Sequence, residues 1–422
     1  LGVYFHQLNN LTSAHQCFKN SVELEPHNSQ FKFNYATSLR NTGDLIQAGQ
    51  ELNNVLKLNP KDWDAYLARS LLTKMTTDKN HISALKSLTT IDKSNVAQSK
   101  LLFALAKEQE DCLDYKSSFS NLKLANNLRD KFTQYNIENE IEAITCIKST
   151  FNLKKVKNNS LKVKKTLNNN TIKQPIFIVG LPRSGTTLLE RIISQPKQVL
   201  AAGELHDFST NLTLAVSESS TTPLIDKLDF IKQTAKIDFI QLGKDYLNST
   251  KELTHSHSIF IDKMPLNFLY TGLIQNALPD AKIIHLTRSP MAVCYAMYKT
   301  SFGQAYPFSY NLENLAKYYI AYRALMSHWQ QSNANNYIEV NYEQLVTSPA
   351  QSSKKVFNFI GLEWHDEYLQ LKNNKQASAT ASSSQVREGI YQSSVELWLN
   401  YKGELEPLRK QLQQAGITPE KW

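Results

Sequence analysis

The chain has 422 residues, of which 41% are hydrophobic and 20% charged, so it can bury a full core and is not a disordered protein. The net charge of +9 favours an anionic ligand or partner without identifying one. No apolar run reaches the roughly 18 residues of a membrane span, and the four cysteines lack disulfide or zinc spacing, which predicts a cytoplasmic protein.

The first 150 residues contain a repeated pattern. Four positions recur with a shift of 34 residues: Ala14, Phe18, Ser21 and Pro26 correspond to Ala48, Leu52, Val55 and Pro60. Small and apolar residues at helical spacing, closed by a proline, resemble the second helix of a tetratricopeptide repeat. We therefore expect an α-solenoid of about four repeats over residues 1–150, whose groove binds a peptide or protein partner. The alternatives are an ordinary helical bundle and a structural spacer.

Both ends of the repeat array carry a prediction. In the repeat register, Leu1 and Gly2 occupy the Leu-Gly site of a first helix, so the array is expected to be incomplete at its N-terminus. Residues 130–149 are expected to form one amphipathic helix that caps the stack. Residues 151–174 then form a basic linker, because seven lysines and no acidic residue lie between Lys154 and Lys173. A nucleic-acid patch is disfavoured there, since no aromatic residues are interleaved.

The segment PIFIVGLPRSGTTLLERIIS has the pattern of strand, loop and helix. Gly180 and Gly185 have the G-x-x-x-x-G spacing of a loop whose backbone N–H groups bind a phosphate. Thr186 stands where a nucleotide triphosphatase carries its lysine, which disfavours magnesium-dependent phosphoryl transfer. The cation inside the loop is Arg183, which can bind phosphate or sulfonate oxygens through its fork. A tight turn without a ligand is the alternative.

This loop carries a family resemblance. GLPRSGTTLLERI is similar to the 5′-phosphosulfate loop of sulfotransferases that use 3′-phosphoadenylyl sulfate, especially the tyrosylprotein sulfotransferase branch, whose bacterial relatives carry tetratricopeptide repeats. The resemblance implies a three-layer α/β, P-loop-like domain with a mostly parallel sheet over residues 175–422. It also implies sulfonate transfer to an acceptor hydroxyl, with adenosine 3′,5′-bisphosphate as product. The residues expected to hold the 5′-phosphosulfate are Arg183, Ser184, Gly185, Thr186 and Thr187.

A second basic residue follows another apolar strand. Arg288 in KIIHLTRSP is similar to the arginine that binds the 3′-phosphate in the family, with an exposed strand-end arginine as the alternative. Ala296 stands where the family has a serine on the same phosphate. The nearby residues that could replace this contact are Ser289, Lys299, Thr300 and Ser301.

Two segments resemble those that carry the reacting groups. Sulfonate transfer needs a base for the acceptor and a cation for the developing charge. In AAGELHDF, Glu204 matches the catalytic base of the family, and His206 or a solvated loop glutamate are the alternatives. In IFIDKMPL, Lys263 matches the lysine that stabilises the transition state, and a simple ion pair with Asp262 is the alternative.

The C-terminal part is similar to the segment that closes over the cofactor. Matching Gln385 and Val386 to the Gln-Val of the family implies that Ser382 contacts the transition state and that Arg387 lies beside the 3′-phosphate. Tyr342 in VNYEQLV matches the tyrosine near the adenine, with a buried core tyrosine as the alternative.

The expected donor is therefore 3′-phosphoadenylyl sulfate, and no metal motif is present in the sequence. The acceptor is expected to be a peptide, a glycan or a small phenol, with protein tyrosine first. A homodimer is compatible with this interpretation, and neither nucleic acid nor a membrane span is expected. The alternative function, suggested by Ala296, is a repeat-based scaffold whose second domain binds nucleotide without turnover.

Overall fold

The structure is a computed structural model that describes residues 1–92, 94–152, 173–220, 223, 225–255, 257–332, 335–371 and 389–421. These residues form two compact units. The helical unit comprises Leu1–Tyr135, Cys294–Ala316 and the described part of Lys372–Gln411. The α/β unit comprises Asn136–Val293, Lys317–Leu371 and the described part of Leu412–Trp422. The predicted linker lies almost entirely outside the described residues.

The N-terminal part of the helical unit is built from consecutive helices. They are α1 (Gly2–Gln7), α2 (Leu11–Leu24), α3 (Ser29–Thr42), α4 (Leu45–Leu58), α5 (Trp63–Leu72), α6 (Ile82–Ile91), α7 (Asn95–Asp111) and α8 (Tyr115–Thr133). Apolar residues of α2 to α5 form one buried cluster, in which Ala14, Ala48 and Leu52 are almost completely inaccessible. An N-terminal helical region was predicted, and it is confirmed.

The helix boundaries follow the period of the sequence. The first residues of α2 and α4 are 34 positions apart in the chain, and so are their last residues. Asn10 caps α2 and Asp44 caps α4, each accepting a backbone N–H three residues later through its side chain. Asn28 and Asp62 cap α3 and α5 in the same way, with the same offset. The capping residues therefore repeat with the apolar ones, although the assignment to the tetratricopeptide family stays a prediction.

The α/β unit contains one sheet of parallel strands. The strands are β1 (Gln174–Gly180), β2 (Val199–Gly203), β3 (Ile259–Asp262), β4 (Lys282–Thr287) and β5 (Tyr337–Asn341). Their order is β2-β3-β1-β4-β5, and each described neighbour pair is parallel. The apolar run from Ile176 to Val179 is completely buried, as expected for a parallel strand with both faces covered. The predicted parallel α/β domain is confirmed.

The remaining α-helices follow in chain order. They are α9 (Ile137–Thr150), α10 (Thr186–Ile193), α11 (Asp207–Ser219), α12 (Lys227–Gln233), α13 (Phe239–Ser249), α14 (Lys251–Thr254), α15 (Thr271–Ala277), α16 (Pro290–Tyr298), α17 (Leu312–Ser332), α18 (Tyr342–Thr347), α19 (Pro349–Ile360) and α20 (Glu406–Gln414). Short 3₁₀ helices cover Pro265–Tyr270, Pro307–Tyr310, Asp366–Leu369 and Leu397–Tyr401. None of the helices in the described ranges is long and apolar enough to cross a bilayer.

The single helix predicted over residues 130–149 is wrong. Helix α8 ends at Thr133, and Gln134 adopts a left-handed conformation with φ +43°. Asn136 then begins α9 by accepting the N–H of Glu138 through its side chain. Helix α9 belongs to the α/β unit, whereas the expected cap was part of the helical array.

Candidate active site

The five strands end at one edge of the sheet, and each is followed by a predicted site residue. Arg183 follows β1, Glu204 follows β2, Lys263 follows β3, Arg288 follows β4, and Tyr342 follows β5. Strand β1 lies between β3 and β4. The connection after β1 runs to β2 on one side, and the connection after β3 runs to β4 on the other side. Ligands of open parallel sheets bind in the crevice at such a switch point. The topology therefore brings residues from five separate segments to one crevice.

The loop between β1 and α10 depends on two glycines. Gly180 has φ +153°, and a Cβ there would lie 2.6 Å from the carbonyl oxygen of Leu286. Gly185 has φ +101° at the N-terminus of α10, a conformation that favours glycine. Arg183 between them is also left-handed, with φ +67°. Such a turn directs backbone N–H groups and the start of the helix toward a common point, where an anion is stabilised.

The hydroxyl groups of this loop are buried. Ser184, Thr186 and Thr187 each expose 5% of their surface or less. The Oγ atom of Ser184 has no hydrogen-bond partner among the described residues. A buried hydroxyl without a partner costs about 1–3 kcal/mol. An oxygen of a bound anion would satisfy it, so the loop has the polar groups that a phosphate or phosphosulfate requires.

Arg288 connects the loop to the far side of the sheet. Its Nη1 donates a 2.8 Å hydrogen bond to the carbonyl oxygen of Arg183. Its guanidinium carbon lies 4.7 Å from the ring centre of Tyr342, in cation–π contact. Arg288 and Tyr342 are both buried. The alternative of an exposed strand-end arginine is wrong. Tyr342 is buried, as its alternative interpretation expected, and its place near the adenine stays a prediction.

Lys263 interacts with two carboxylates. Its Nζ lies 2.6 Å from Oε1 of Glu204 and 3.9 Å from Oε2 of Glu190. The lysine side chain is only 1% exposed, whereas that of Glu204 is 40% exposed. The backbone N–H of Lys263 donates to the carbonyl oxygen of Gly203, which ties the end of β3 to the end of β2. Lys263 and Glu204 are therefore brought together as a buried cation and an accessible carboxylate.

Glu190 is a site residue that the sequence interpretation missed. It lies on α10, one turn after Thr186, and its side chain is 9% exposed. Burial raises the pKa of Glu190, and the positive charge of Lys263 partly opposes this effect. The available signal was a carboxylate inside LLERII, a segment otherwise rich in apolar residues.

Asp262 does not pair with Lys263 as the alternative interpretation had it. Its Oδ2 accepts a 3.0 Å hydrogen bond from the hydroxyl of Tyr246, and both residues are completely buried. Burial raises the pKa of Asp262 to about 8, despite the hydrogen bond from Tyr246. Asp262 is therefore a separate buried acid next to the lysine in the chain.

Several predicted residues have other contacts or lie outside the described part of the chain. Ser382 and Arg387 lie outside the described residues. Ala296 and Lys299 belong to the helical unit, where Lys299 binds Glu110, so this lysine has its own partner. Ser289 is buried beside Arg288, and its backbone N–H donates to Glu343. His206 is exposed at the start of α11.

Metal ligands are not grouped in the part of the chain that the structure describes. No cluster of three or more His, Cys, Asp or Glu side chains is arranged there to hold a metal ion. Among the described residues at this edge of the sheet, the charged side chains include Arg183, Arg288, Lys263, Glu204 and Glu190.

Comparison with known families agrees with this geometry. Residues 175–366 match the family model described as the sulfotransferase family. The matched segment contains all five strands and the five residues that follow them. This part of the chain is therefore similar to sulfotransferase domains.

Individual relatives share the same region. An uncharacterized protein of Aquifex aeolicus is 32% identical over 249 residues, which cover 58% of this chain and 33% of that protein. Protein-tyrosine sulfotransferase 2 of Gallus gallus is 23% identical over 195 residues, covering 46% of this chain and 53% of its own. The chain thus spans between a third and about half of these two relatives.

Among solved structures, the sulfotransferase domain from the curacin biosynthetic pathway is 17% identical, with a TM-score of 0.39. The match covers 57% of this chain and 98% of the solved chain.

The prediction of a cytoplasmic location is wrong, because the matched relatives include animal protein-tyrosine sulfotransferases, which are not cytoplasmic enzymes. Cysteine content alone was too weak a basis for that prediction.

Proposed function

We propose that this domain transfers a sulfonate group from 3′-phosphoadenylyl sulfate to an acceptor hydroxyl, with protein tyrosine as the first acceptor. The observation that carries the proposal is the 2.6 Å contact between Nζ of Lys263 and Oε1 of Glu204, beside the glycine loop. A base and a cation adjacent to an anion-binding loop are the groups that this reaction needs.

The residues around the glycine loop fit the donor. The unpartnered, buried hydroxyl of Ser184 and the N-terminus of α10 suit the oxygens of a 5′-phosphosulfate. Arg288 would bind the 3′-phosphate, and Tyr342 would lie near the adenine. The residues proposed to hold the 5′ end are Arg183, Ser184, Gly185, Thr186 and Thr187. Ser382 and Arg387 remain proposed contacts outside the described residues.

The roles in the reaction follow from exposure and charge. When bound, the donor supplies the sulfonate and a phosphate leaving group. Glu204 is accessible enough to take the proton of the acceptor hydroxyl as the new oxygen–sulfur bond forms. Lys263 is buried and cationic, so it stabilises the negative charge that develops as the bond to the phosphate oxygen breaks. The electron pair of that bond stays on the phosphate.

The acceptor proposed first is a tyrosine hydroxyl of a protein. Relatives named protein-tyrosine sulfotransferases support a tyrosine hydroxyl. Glycans and small phenols stay as further acceptor classes. A peptide partner in the groove of the helical unit and a homodimer also remain predictions.

A second function is a scaffold that binds nucleotide without turnover, for which Ala296 was the reason. The accessible Glu204 next to Lys263 does not favour this alternative, because a domain without turnover has no need of a base. The two functions differ in one outcome, which is the formation of a labelled product.

The test uses the donor labelled with ³⁵S and a panel of tyrosine peptides, glycans and phenols. We expect label transfer to at least one class, and we expect Glu204→Gln to abolish it while adenosine 3′,5′-bisphosphate still binds. Glu218→Gln, an exposed carboxylate on α11, serves as the matched control and should retain activity. Binding without any labelled product would favour the scaffold, and full activity of Glu204→Gln would assign the base to another residue, first His206.

A further inference from the structure

Glu190 is a second carboxylate on the same ammonium group. We propose that it is a positioning residue that holds the ammonium group of Lys263 in place after Glu204 has taken the proton of the acceptor. This inference rests on the proposed function, because it assigns a partner to the cation of the same reaction. Nothing in the phosphate-loop pattern or in the role of Glu204 requires a carboxylate at this position.

The two carboxylates differ in how firmly they are held. Glu204 lies in the loop after β2 with 40% of its side chain exposed, so it can turn toward an acceptor. Glu190 lies within α10, and its side chain is 9% exposed. Helix α10 begins at Thr186, directly after Gly185 of the glycine loop. The backbone that fixes Glu190 is therefore the backbone that fixes the anion site.

The charge balance gives Glu190 its role. Lys263 is almost completely buried, and a buried ammonium group is stabilised by a counter-ion. Before the reaction, the closest counter-ion is Glu204 at 2.6 Å. When Glu204 accepts the proton of the hydroxyl group, it becomes neutral and no longer serves as counter-ion. The carboxylate of Glu190, 3.9 Å from Nζ, then balances the charge of Lys263.

The charged groups around Glu190 are consistent with this exchange. Burial raises the pKa of Glu190, and so does the negative charge of Glu204, whereas Lys263, Arg191 and the backbone N–H of Gly203 lower it. Proton uptake by Glu204 removes the opposing negative charge, which stabilises the carboxylate form of Glu190. In this step the proton moves from the acceptor oxygen to Glu204. The summed charge of Lys263, Glu204 and Glu190 therefore becomes more positive by the charge of that proton.

The experiment is a double-mutant cycle between Glu190→Gln and Lys263→Met. It measures kcat and the KM of the donor for the single and double variants, together with the affinity for adenosine 3′,5′-bisphosphate and the free energy of unfolding. Ser194→Ala is the control variant, because Ser194 is buried directly after the last residue of α10. Among the described residues, its hydroxyl donates only to the carbonyl oxygen of Arg191. The labelled-donor assay of the wild type tests the proposed function separately.

We expect Glu190→Gln to lower kcat by about 10- to 100-fold, the effect typical of residues that orient a catalytic group. Binding of the product nucleotide and the KM of the donor should change little. In the Lys263→Met background, Glu190→Gln should have almost no further effect on kcat, because the two residues act through one interaction. The free energies of unfolding should also be non-additive.

Three results would overturn the assignment. They are an active wild type whose Glu190→Gln variant keeps its kcat as Ser194→Ala does, a kcat loss of equal size with and without Lys263, and additive unfolding energies. If Glu190→Gln does not fold, Glu190→Asp replaces it in the same cycle, where its kcat loss must likewise disappear in the Lys263→Met background. An inactive wild type would instead refute the proposed function, and the unfolding cycle would still test the contact.

Discussion

The ring of Tyr342 lies directly against the α-carbon of Gly185. A Cβ at position 185 would overlap ring atoms Cδ2 and Cε2 of this tyrosine. Tyr342 follows the edge strand β5, whereas Gly185 begins α10 after the central strand β1. The contact therefore fixes the shape of the anion-binding loop from the far side of the sheet.

Gly185→Ala should lower the affinity for adenosine 3′,5′-bisphosphate by about tenfold or more. The substitution adds an atom that collides with Tyr342 and requires a left-handed φ of +101°, which costs about 1–2 kcal/mol in itself. Isothermal titration calorimetry measures the affinity. Gly361→Ala is the matched control, because Gly361 also has a positive φ, +77°, but open space around it. Equal affinities of both variants would contradict the role of the loop.

Arg288→Met should remove the preference for a 3′-phosphate. The guanidinium lies between the carbonyl oxygen of Arg183 and the ring of Tyr342, and contacts of a charged group are worth about 1.5–3 kcal/mol. We expect affinity for adenosine 3′,5′-bisphosphate to fall by about tenfold or more, with little change for adenosine 5′-phosphate. Lys282→Met, at the opposite end of β4, should change neither affinity. A uniform loss for both nucleotides would place the 3′-phosphate elsewhere.

Asp262→Asn should stabilise the protein in alkaline solution. The unfolded chain releases this proton near the ordinary pKa of 3.8, whereas burial holds it in the folded chain until about pH 8. Since the folded state binds more protons in that window, the free energy of unfolding of the wild type falls as the pH rises through it. Asparagine cannot ionise and still accepts the hydrogen bond of Tyr246.

At pH 8, the free energy of unfolding of Asp262→Asn should therefore exceed that of the wild type by roughly 2 kcal/mol or more. Urea unfolding at several pH values from 5 to 9 measures the difference. The control Glu218→Gln should have the same pH dependence as the wild type, because that carboxylate is exposed. Parallel curves for Asp262→Asn and wild type would show that Asp262 is ionised throughout.

Lys299→Met should destabilise the helical unit by about 3 kcal/mol. Glu110 on α7 is bound by Lys299 and by the hydroxyls of Tyr295 and Tyr401, and its side chain is 10% exposed. Burial alone would raise the pKa of Glu110, but Lys299 and the tyrosine hydroxyls hold it below its ordinary value. Removing Lys299 leaves a buried carboxylate without its cation.

Urea unfolding followed by hydrogen exchange of α7 measures this effect. Adding Glu110→Gln to Lys299→Met should recover part of the loss, because the uncompensated charge is then gone. Lys317→Met breaks an exposed pair with Glu138 and should cost less than about 1 kcal/mol. If Lys299→Met lowers the free energy of unfolding no more than Lys317→Met does, water rather than Lys299 stabilises the charge of Glu110.

The sequence by itself determined the local elements of this protein. Apolar periodicity and recurring caps predict the helices with their shift of 34 residues, because helix formation depends on residues within a few turns. The strand, glycine loop and helix around Gly180 and Gly185 are equally local. The candidates Glu204, Lys263 and Arg288 could be selected because each follows a short apolar segment of strand type.

Only the tertiary structure decided which of these residues meet. The strand order β2-β3-β1-β4-β5 brings Glu204 to Lys263 and Tyr342 to Gly185, and strand order is not encoded in the pattern of any one strand. Glu190 looked like an ordinary helix residue until its distance from Lys263 was known. Likewise, Glu110 and Lys299 are assigned to one buried cluster by folding alone. Burial and distance between remote segments set charge and pKa, and these are properties of the packed chain.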